Sequence, residues 1–324
     1  FVLVVVLFFL VIGFLAADAV FFRHAFALEA VTRVGAHPRY GTVTQDYASA
    51  EHDGFQDNFT LGVGSTVEWG MFDRARSYID NYFEHFVRDD GSIDYRGPET
   101  GQYGRMLTNL AQYCEYSGDY SVLSRHDTRI RGIVELLQSR LDKARALPRS
   151  DPSHGLIRGR QEADVSWVTP DLTLNDYDQP YWNNSAEAWR GFTDLARVWR
   201  HSGRTRSDDD LLVKAAALES SADELLGDLR VAVGRSILTD RGIPYLPTYA
   251  GCAKYHTDVP YRSSPESFDD NRVWTEFMGS GAIDRDTLEK IVEYEASHGG
   301  SWLGMIGNRE QVVVFHAHGA GFGL

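Results

Sequence analysis

Cysteine and basic residues are both scarce in this chain. Of its 324 residues, only Cys114 and Cys252 carry thiols, and 32 Lys and Arg face 46 Asp and Glu, which gives a formal net charge of −14. Nucleic-acid backbones are bound by clustered Lys and Arg, so this charge predicts no nucleic-acid partner, whereas neutral sugars remain compatible with it. The two cysteines, one in a predicted helix and one in a predicted loop, favour separate thiols over a single disulfide. They leave the cellular compartment open.

Polar residues are nearly absent from the first segment of the chain. Residues 1–22 are apolar except for Asp18, and a run of about 20 such residues is long enough to span a bilayer. Two small-x-small triplets, at 17–19 and 25–27, fit signal-peptide cleavage. We predict that residues 1–27 form a signal peptide or membrane anchor, and that the protein is secreted, periplasmic or membrane-anchored outside the cytoplasm. A buried helix or strand of the domain core is the alternative.

Helical periodicity dominates the remainder, residues 28–324, which we treat as one domain. The hydrophobic fraction of 43% is enough for a large core, and apolar residues recur at helical spacing in eight segments. The predicted helices are about 55–70, 71–87, 101–116, 120–144, 184–203, 208–233, 270–278 and 285–297. Residues 28–54 are predicted to be an irregular lead-in, and 93–95 a short strand.

The connections between these helices alternate in length. After the first, third, fifth and seventh helices the turn is tight and contains glycine, the residue preferred just past a helix end. These glycines are Gly70, Gly118, Gly203 and Gly281. After the other helices the loops are longer and uneven. The pattern predicts stacked helical hairpins, and the uneven loops favour a closed ring of hairpins, with the loops on one rim, over a regular solenoid.

The longest connection falls within residues 155–189. A structureless stretch of this length in a compact domain is usually functional or disordered. Its aromatic side chains, which include Trp167, Tyr177 and Tyr181, argue against disorder. We therefore predict an ordered loop that builds part of a binding site. A second long loop is predicted at 236–269.

Four segments of the chain resemble the six-hairpin glycosidases, the (α/α)6 toroids that include glucoamylases and the α-glucosidases of glycoside hydrolase family 63. These segments are 53–59, 91–97, 155–164 and 181–184. The likeness spans roughly residues 45–324 and lies in architecture and loops, without one diagnostic string. It implies an all-α toroid of twelve helices. Since eight are predicted here, the last hairpins are expected to follow Leu324.

The resemblance implies a glycoside hydrolase that acts on neutral oligosaccharides or glycosides. One carboxyl group protonates the leaving oxygen in such enzymes, and in an inverting enzyme a second, about 6.5–9.5 Å away, activates water. The family places a general acid in the long loop, which indicates Asp164 first and Glu162 second. Helix capping, or pairing with Arg158 or Arg160, is the non-catalytic alternative. The base usually comes from a late hairpin and is expected after residue 324.

Further residues near the loops are candidates for binding the sugar. Aromatic rings stack on sugar faces, and charged or amide groups bind hydroxyls. The candidates are Asp53, Asp57, Arg96, Gln102, Tyr103, Trp167, Tyr181, Trp182, Asn183 and Arg272. Asp53 and Asp57 have helix capping as their alternative role, and Trp182 has a hydrophobic staple at a helix start.

No metal or cofactor is predicted. His316 and His318 share a face only on a strand, and no Cys or acidic cluster accompanies them. Two other functions stay open: a polysaccharide lyase or other sugar-active enzyme on the same toroid, and a non-catalytic carbohydrate-binding protein. The net charge counts against a lyase, because a uronate polymer would be repelled unless the cleft is basic. The sugar, its linkage and the oligomeric state are left open.

Overall fold

The computed structural model describes residues 54–95, 99–161, 176–255, 265–268 and 273–298, together with the backbone of short strands within 33–46 and 301–314. The predicted signal or anchor segment, 1–27, lies outside these residues. Among the helices described, none is long and apolar enough to cross a membrane.

The described part of the chain is mainly helical, as predicted. Its α-helices are α1 (Gln56–Glu68), α2 (Phe72–His85), α3 (Thr100–Ser117), α4 (Ser121–Arg125), α5 (Asp127–Arg145), α6 (Trp182–Arg206), α7 (Asp209–Ser236), α8 (Trp274–Ser280) and α9 (Arg285–His298). The predicted fourth helix is two helices, α4 and α5, which are separated at His126. A short 3-10 helix spans Pro265–Phe268.

In three of the four hairpins, the first helix ends at the glycine that the sequence predicts. Three of the predicted turn glycines, Gly70, Gly118 and Gly281, have φ values of 69°, 74° and 78°. The fourth prediction is wrong, because α6 continues past Gly203 to Arg206, and the left-handed residue after it is Ser207, whose φ is 53°. A Cβ atom on residue 203 would lie 2.9 Å from Leu212 Cδ2. Gly203 therefore permits the close packing of α6 on α7 instead of forming the turn.

The first helices of successive hairpins pack side by side. Contacts join α1 to α3, α3 to α6, and α6 to α8, so these four helices form one continuous row, called the helix row below. The second helices α2 and α7 pack on their own hairpin partners, α1 and α6. The long loops therefore precede the members of the helix row, while the tight turns follow them.

Within the helix row, α3 and α6 touch backbone to backbone. A Cβ atom on Gly104 would lie 2.2 Å from the carbonyl carbon of Glu187, and one on Gly191 would lie 2.4 Å from the carbonyl oxygen of Gly104. No side chain fits at such distances, so these glycines set how closely the two helices approach. The approach fixes the backbone around Glu187.

Two apolar cores support the helix row. The first contains residues of α1 to α7, among them Phe59, Phe83 and Leu107. The second joins the chain around Tyr245 to α8 and α9, and the ring of Tyr245 lies 5.9 Å from that of Trp274 and 4.5 Å from that of Tyr294. Because Trp274 is the first residue of α8, this second core positions the start of that helix.

The strands are short and antiparallel. Within the predicted lead-in, β1 (Arg33–Val34) pairs with β2 (His37–Pro38), and β3 (Gly41–Thr42) pairs with β4 (Gln45–Asp46). The predicted loop 236–269 contains a hairpin of β5 (Leu238–Asp240) and β6 (Ile243–Tyr245). Near the end, β7 (Ser301–Trp302), β8 (Met305–Asn308) and β9 (Gln311–Val314) form a sheet. The strand predicted at 93–95 is reduced to one bridge, between Val87 and Ile93.

The two cysteines are free and buried, which confirms the prediction of separate thiols. Cys114 lies in α3 with no exposed surface, inside the first core. Cys252 lies in the loop after β6, where its thiol donates to the carbonyl oxygen of Lys254 at 3.7 Å.

Candidate functional site: a buried amide and carboxylate cluster

The N-terminal parts of all four helices of the helix row lie close together. Gln102 in the first turn of α3 and Asn183 in the first turn of α6 both donate side-chain hydrogen bonds to Glu276 in the first turn of α8. Thr60 in α1 joins them by donating its hydroxyl to Gln102 Oε1 at 2.8 Å. Together with Gln161 and Asn184, these residues form what we call the polar cluster.

Glu276 is the charged group of the polar cluster. Its Oε1 accepts from Gln102 Nε2 at 3.1 Å, and its Oε2 accepts from Asn183 Nδ2 at 2.5 Å. Its exposed fraction is 6%. Both carboxylate oxygens act as acceptors, as the ionised form requires, and hydrogen bonds to a charged group are stronger than those between neutral groups. The cluster is therefore arranged around a negative charge that is largely withdrawn from water.

The chain just before the long loop completes the polar cluster. Gln161 Oε1 accepts from Asn183 Nδ2 at 2.5 Å, and its Nε2 donates to Asn184 Oδ1 at 2.8 Å. Asn184 Nδ2 in turn donates to the carbonyl oxygen of Gly159 at 3.2 Å. Each amide orientation follows from its neighbour. This segment packs tightly on α3, because a Cβ atom on Gly159 would lie 1.9 Å from Thr100 Oγ1.

One acceptor of the polar cluster is unused. Asn183 Nδ2 donates to both Gln161 and Glu276, while Asn183 Oδ1 is buried and has no hydrogen-bond partner among the described residues. A buried carbonyl oxygen without a donor costs free energy, so such atoms usually mark a bound water or ligand position. Asn183 Oδ1 suits a hydroxyl or N–H donor from outside the protein.

A polar cavity of about 320 Å³ lies between the members of the helix row. It is lined by side chains from each of them, including Thr60, Arg105, Thr108, Glu187 and Ser280. Thr60 belongs to both the cavity wall and the polar cluster. Glu187 is 5% exposed, and burial raises the pKa of its carboxyl to about 7. The space between the helices of the helix row is therefore lined by polar groups both at the polar cluster and along this cavity.

The predicted site residues divide into four groups. Gln102 and Asn183 lie together in the polar cluster. Asp57 lies in the first turn of α1 and is half-buried. Tyr103, Tyr181 and Trp182 lie in the apolar cores. The remaining candidates lie outside the described residues: Asp53, Arg96, Glu162, Asp164, Trp167 and Arg272.

Three of the four predicted aromatic residues are buried in the cores. Trp182 and Tyr181 have no exposed surface. The indole of Trp182 donates to the carbonyl oxygen of Pro247 at 2.5 Å, and the hydroxyl of Tyr181 donates to that of Pro265 at 3.1 Å. Burial raises the pKa of Tyr103 to about 12. These rings anchor the starts of α3 and α6 and present no free face to a sugar.

Sequence reasoning missed Glu276, Gln161 and Asn184. The predicted helix started at 270, which would place Glu276 in its middle, whereas α8 begins at Trp274 and places Glu276 in the first turn. Gln161 immediately precedes the two candidate acids, Glu162 and Asp164, in the sequence. Its position next to these two candidate acids is the sequence feature that could have identified Gln161.

A larger cleft of about 570 Å³ lies elsewhere, between residues 149–154 and the C-terminal end of α7. Its wall mixes charged side chains of both signs, such as Arg149, Asp151 and Arg235, and contains none of the polar cluster. We therefore place the candidate site at the polar cluster. Within the described residues, no group of His, Cys, Asp and Glu is arranged to hold a metal ion.

Comparisons of the chain with protein-family profiles, with curated proteins and with solved structures give no match.

Proposed function

We propose that the helix row forms the inner wall of an (α/α)6 toroid and that the protein is a glycoside hydrolase acting on neutral oligosaccharides or glycosides. The observation that carries this proposal is the meeting of α1, α3, α6 and α8 at the polar cluster. Long loops precede these helices and tight turns follow them. In the family that the sequence resembles, the site lies at the same end of the inner helices.

The chemistry of the polar cluster suits a neutral polyol. A sugar hydroxyl is both a donor and an acceptor, so its binding site needs both kinds of group, placed where water is excluded. Glu276 and Asn183 supply acceptor oxygens, and the amides supply donors. A polyanionic substrate finds little support, because the charged member of the cluster is a carboxylate.

Asp164, or in second place Glu162, is proposed as the general acid. Both follow Gln161 closely in the sequence, and Gln161 is bonded to Asn183 and Asn184 in the polar cluster. Glu276 is proposed to hold the sugar, since the hydrogen bonds from Gln102 and Asn183 fix the position of its carboxylate. The reaction is proposed to be inverting.

The test is turnover by the intact protein on a panel of α-linked glucosides and mannosides, with anomer formation followed by NMR. We expect Asp164→Asn or Glu162→Gln to lower kcat by more than about a hundredfold, the usual scale for losing an acid catalyst. Glu276→Gln should mainly raise KM. Glu135→Gln, at an exposed position of α5, is the control and should match the wild type. Turnover that survives both acid substitutions would reject these residues as the acid.

A non-catalytic carbohydrate-binding protein is the second candidate. It is favoured by the burial of Glu276 and by the hydrogen bonds that already occupy both of its oxygens. Calorimetry with the same sugars separates the two. Binding that Asn183→Ala weakens, with no turnover of any substrate, would establish the binding protein and reject the hydrolase.

A further inference from the structure

Glu187 lies close to the polar cluster but is not part of it. It follows Asn183 by one turn on α6, so the two side chains share a face of that helix. Its backbone is held against Gly104 of α3, where a Cβ atom would come within 2.2 Å of the Glu187 carbonyl. Its side chain is buried at the wall of the polar cavity. The close approach of the two backbones therefore fixes the position of Glu187 relative to α3.

Charged groups from each neighbouring helix surround Glu187. Arg105 Nη1 of α3 lies 4.0 Å from Glu187 Oε1. On α6 itself, Arg190 is near, but its Nε is bonded to Asp194 Oδ2 at 2.6 Å. On α8, Glu276 precedes Ser280 by one turn, and Ser280 lines the same cavity as Glu187. Glu68 of α1 lines this cavity as well.

The balance of these effects keeps a proton on Glu187 up to about neutral pH. Burial is the largest effect and raises the pKa of the carboxyl to about 7, and the negative charges of Glu276 and Asp194 act in the same direction. Arg105 and Arg190 oppose the shift. The protonated carboxyl adds no charge beside Glu276, whereas the ionised one adds a like charge in a site poor in water.

We propose that Glu187 is a proton-dependent positioning residue for the polar cluster: its neutral form leaves Glu276 seated on Gln102 and Asn183, and its ionised form repels Glu276 and weakens those two bonds. One proton leaves Glu187 for solvent when the change occurs, and no other bond is made or broken. The coupling between the two carboxyl groups does not depend on the proposed function. Its effect on sugar turnover does.

The coupling is tested first without any ligand, by a pH titration of side-chain carboxyl carbons in protein labelled with 13C-glutamate. We expect one resonance to titrate near neutrality in the wild type and to be missing in Glu187→Gln, which assigns it. In Glu276→Gln the midpoint should fall, because a like charge has been removed. In the control Glu135→Gln it should stay in place. A midpoint that does not change in Glu276→Gln would overturn the proposal.

The consequence is tested on the pH profile of kcat/KM for whichever glycoside is turned over. For the wild type we expect kcat/KM to fall about tenfold per pH unit above the midpoint, as for loss of one required proton. Glu187→Gln imitates the neutral carboxyl and should keep its activity across that range. An equal loss at all pH values would indicate a purely structural role and overturn the proposal.

The two proposals fail separately. Absence of turnover on every sugar rejects the hydrolase but leaves the titration result intact. If Glu187→Gln does not fold, as judged by circular dichroism, the comparison of wild type with Glu276→Gln still decides whether the two carboxyl groups are coupled.

Discussion

Asn183 and Glu276 are 93 residues apart in the chain, yet Asn183 Nδ2 lies 2.5 Å from Glu276 Oε2. The bond joins the first turn of α6 to the first turn of α8. The same nitrogen also donates to Gln161 Oε1. One amide group therefore connects two helices and the start of the long loop, and its removal is the most direct test of the polar cluster.

Asn183→Ala should destabilise the protein and weaken any ligand held by the cluster. The change removes one hydrogen bond from each of two buried acceptors, Gln161 Oε1 and Glu276 Oε2, at a cost of about 1–3 kcal/mol in the free energy of unfolding. Denaturant unfolding measures it. Asn81→Ala is the control, since Asn81 Oδ1 has no hydrogen-bond partner among the described residues, and it should cost less. Equal losses would mean that the bonds of Asn183 contribute little.

Gly104→Ala should prevent the normal packing of α3 on α6. The added carbon would lie 2.2 Å from the backbone of Glu187, which cannot move aside as a side chain would. We expect a loss of about 3 kcal/mol or more, at the upper end of overpacking effects, or failure to fold. Gly227→Ala in α7 is the matched control, because a Cβ atom there meets nothing within 4 Å. It should stabilise the protein by about 0.5–1 kcal/mol. Thermal unfolding of both variants checks the pair.

Glu187 should make stability fall with rising pH. Its pKa is raised from 4.5 to about 7 on folding, so the folded state holds a proton that the unfolded state releases. The stabilisation is complete below about pH 4.5 and is lost as the pH rises to about 7. At about 1.4 kcal/mol per pKa unit, the change is about 3 kcal/mol. Urea unfolding at a series of pH values should give this slope for the wild type. For Glu187→Gln, the free energy of unfolding should fall by about 3 kcal/mol less over this pH range. Parallel curves for the two proteins would contradict the prediction.

Cys114 should be unreactive in the folded protein. Burial raises the pKa of its thiol to about 12, and only the thiolate attacks disulfide reagents. With Ellman's reagent at pH 8, native Cys252→Ser should release almost no colour, and the same protein in urea should react with one equivalent. Fast reaction before unfolding would mean that α3 opens locally.

Short-range features were predictable from the sequence, because their causes are local. Gly118 and Gly281 end their helices in the left-handed conformation, which a residue without a Cβ atom adopts at no cost. Gly203 follows the same Ser-Gly pattern and fails, because Leu212 of the next helix competes for its space. The β5–β6 hairpin was not predicted either, because its turn places Arg241, which is not a glycine, at a φ of 51° beside Gly242.

The polar cluster was only half predictable, because it depends on distant contacts. Gln102 and Asn183 were selected because they lie near segments that resemble a known family. Glu276 could not be found in this way. Its partners are 174 and 93 residues away, and nothing in the sequence around it separates a buried carboxylate from an exposed one.

The two hydrogen bonds that join Thr60 to Gln102 and Gln102 to Glu276 run in one direction, because each residue donates to the next. An amide can reverse only by turning over, and then its neighbour must reverse as well. A neutral glutamine at 276 has one donor and one acceptor, so it would force either Gln102 or Asn183 to turn. If Gln102 turned, the hydroxyl of Thr60 would have to accept instead of donate. Through Gln102, the charge of residue 276 on α8 can therefore set the direction of a hydrogen bond made by Thr60 on α1.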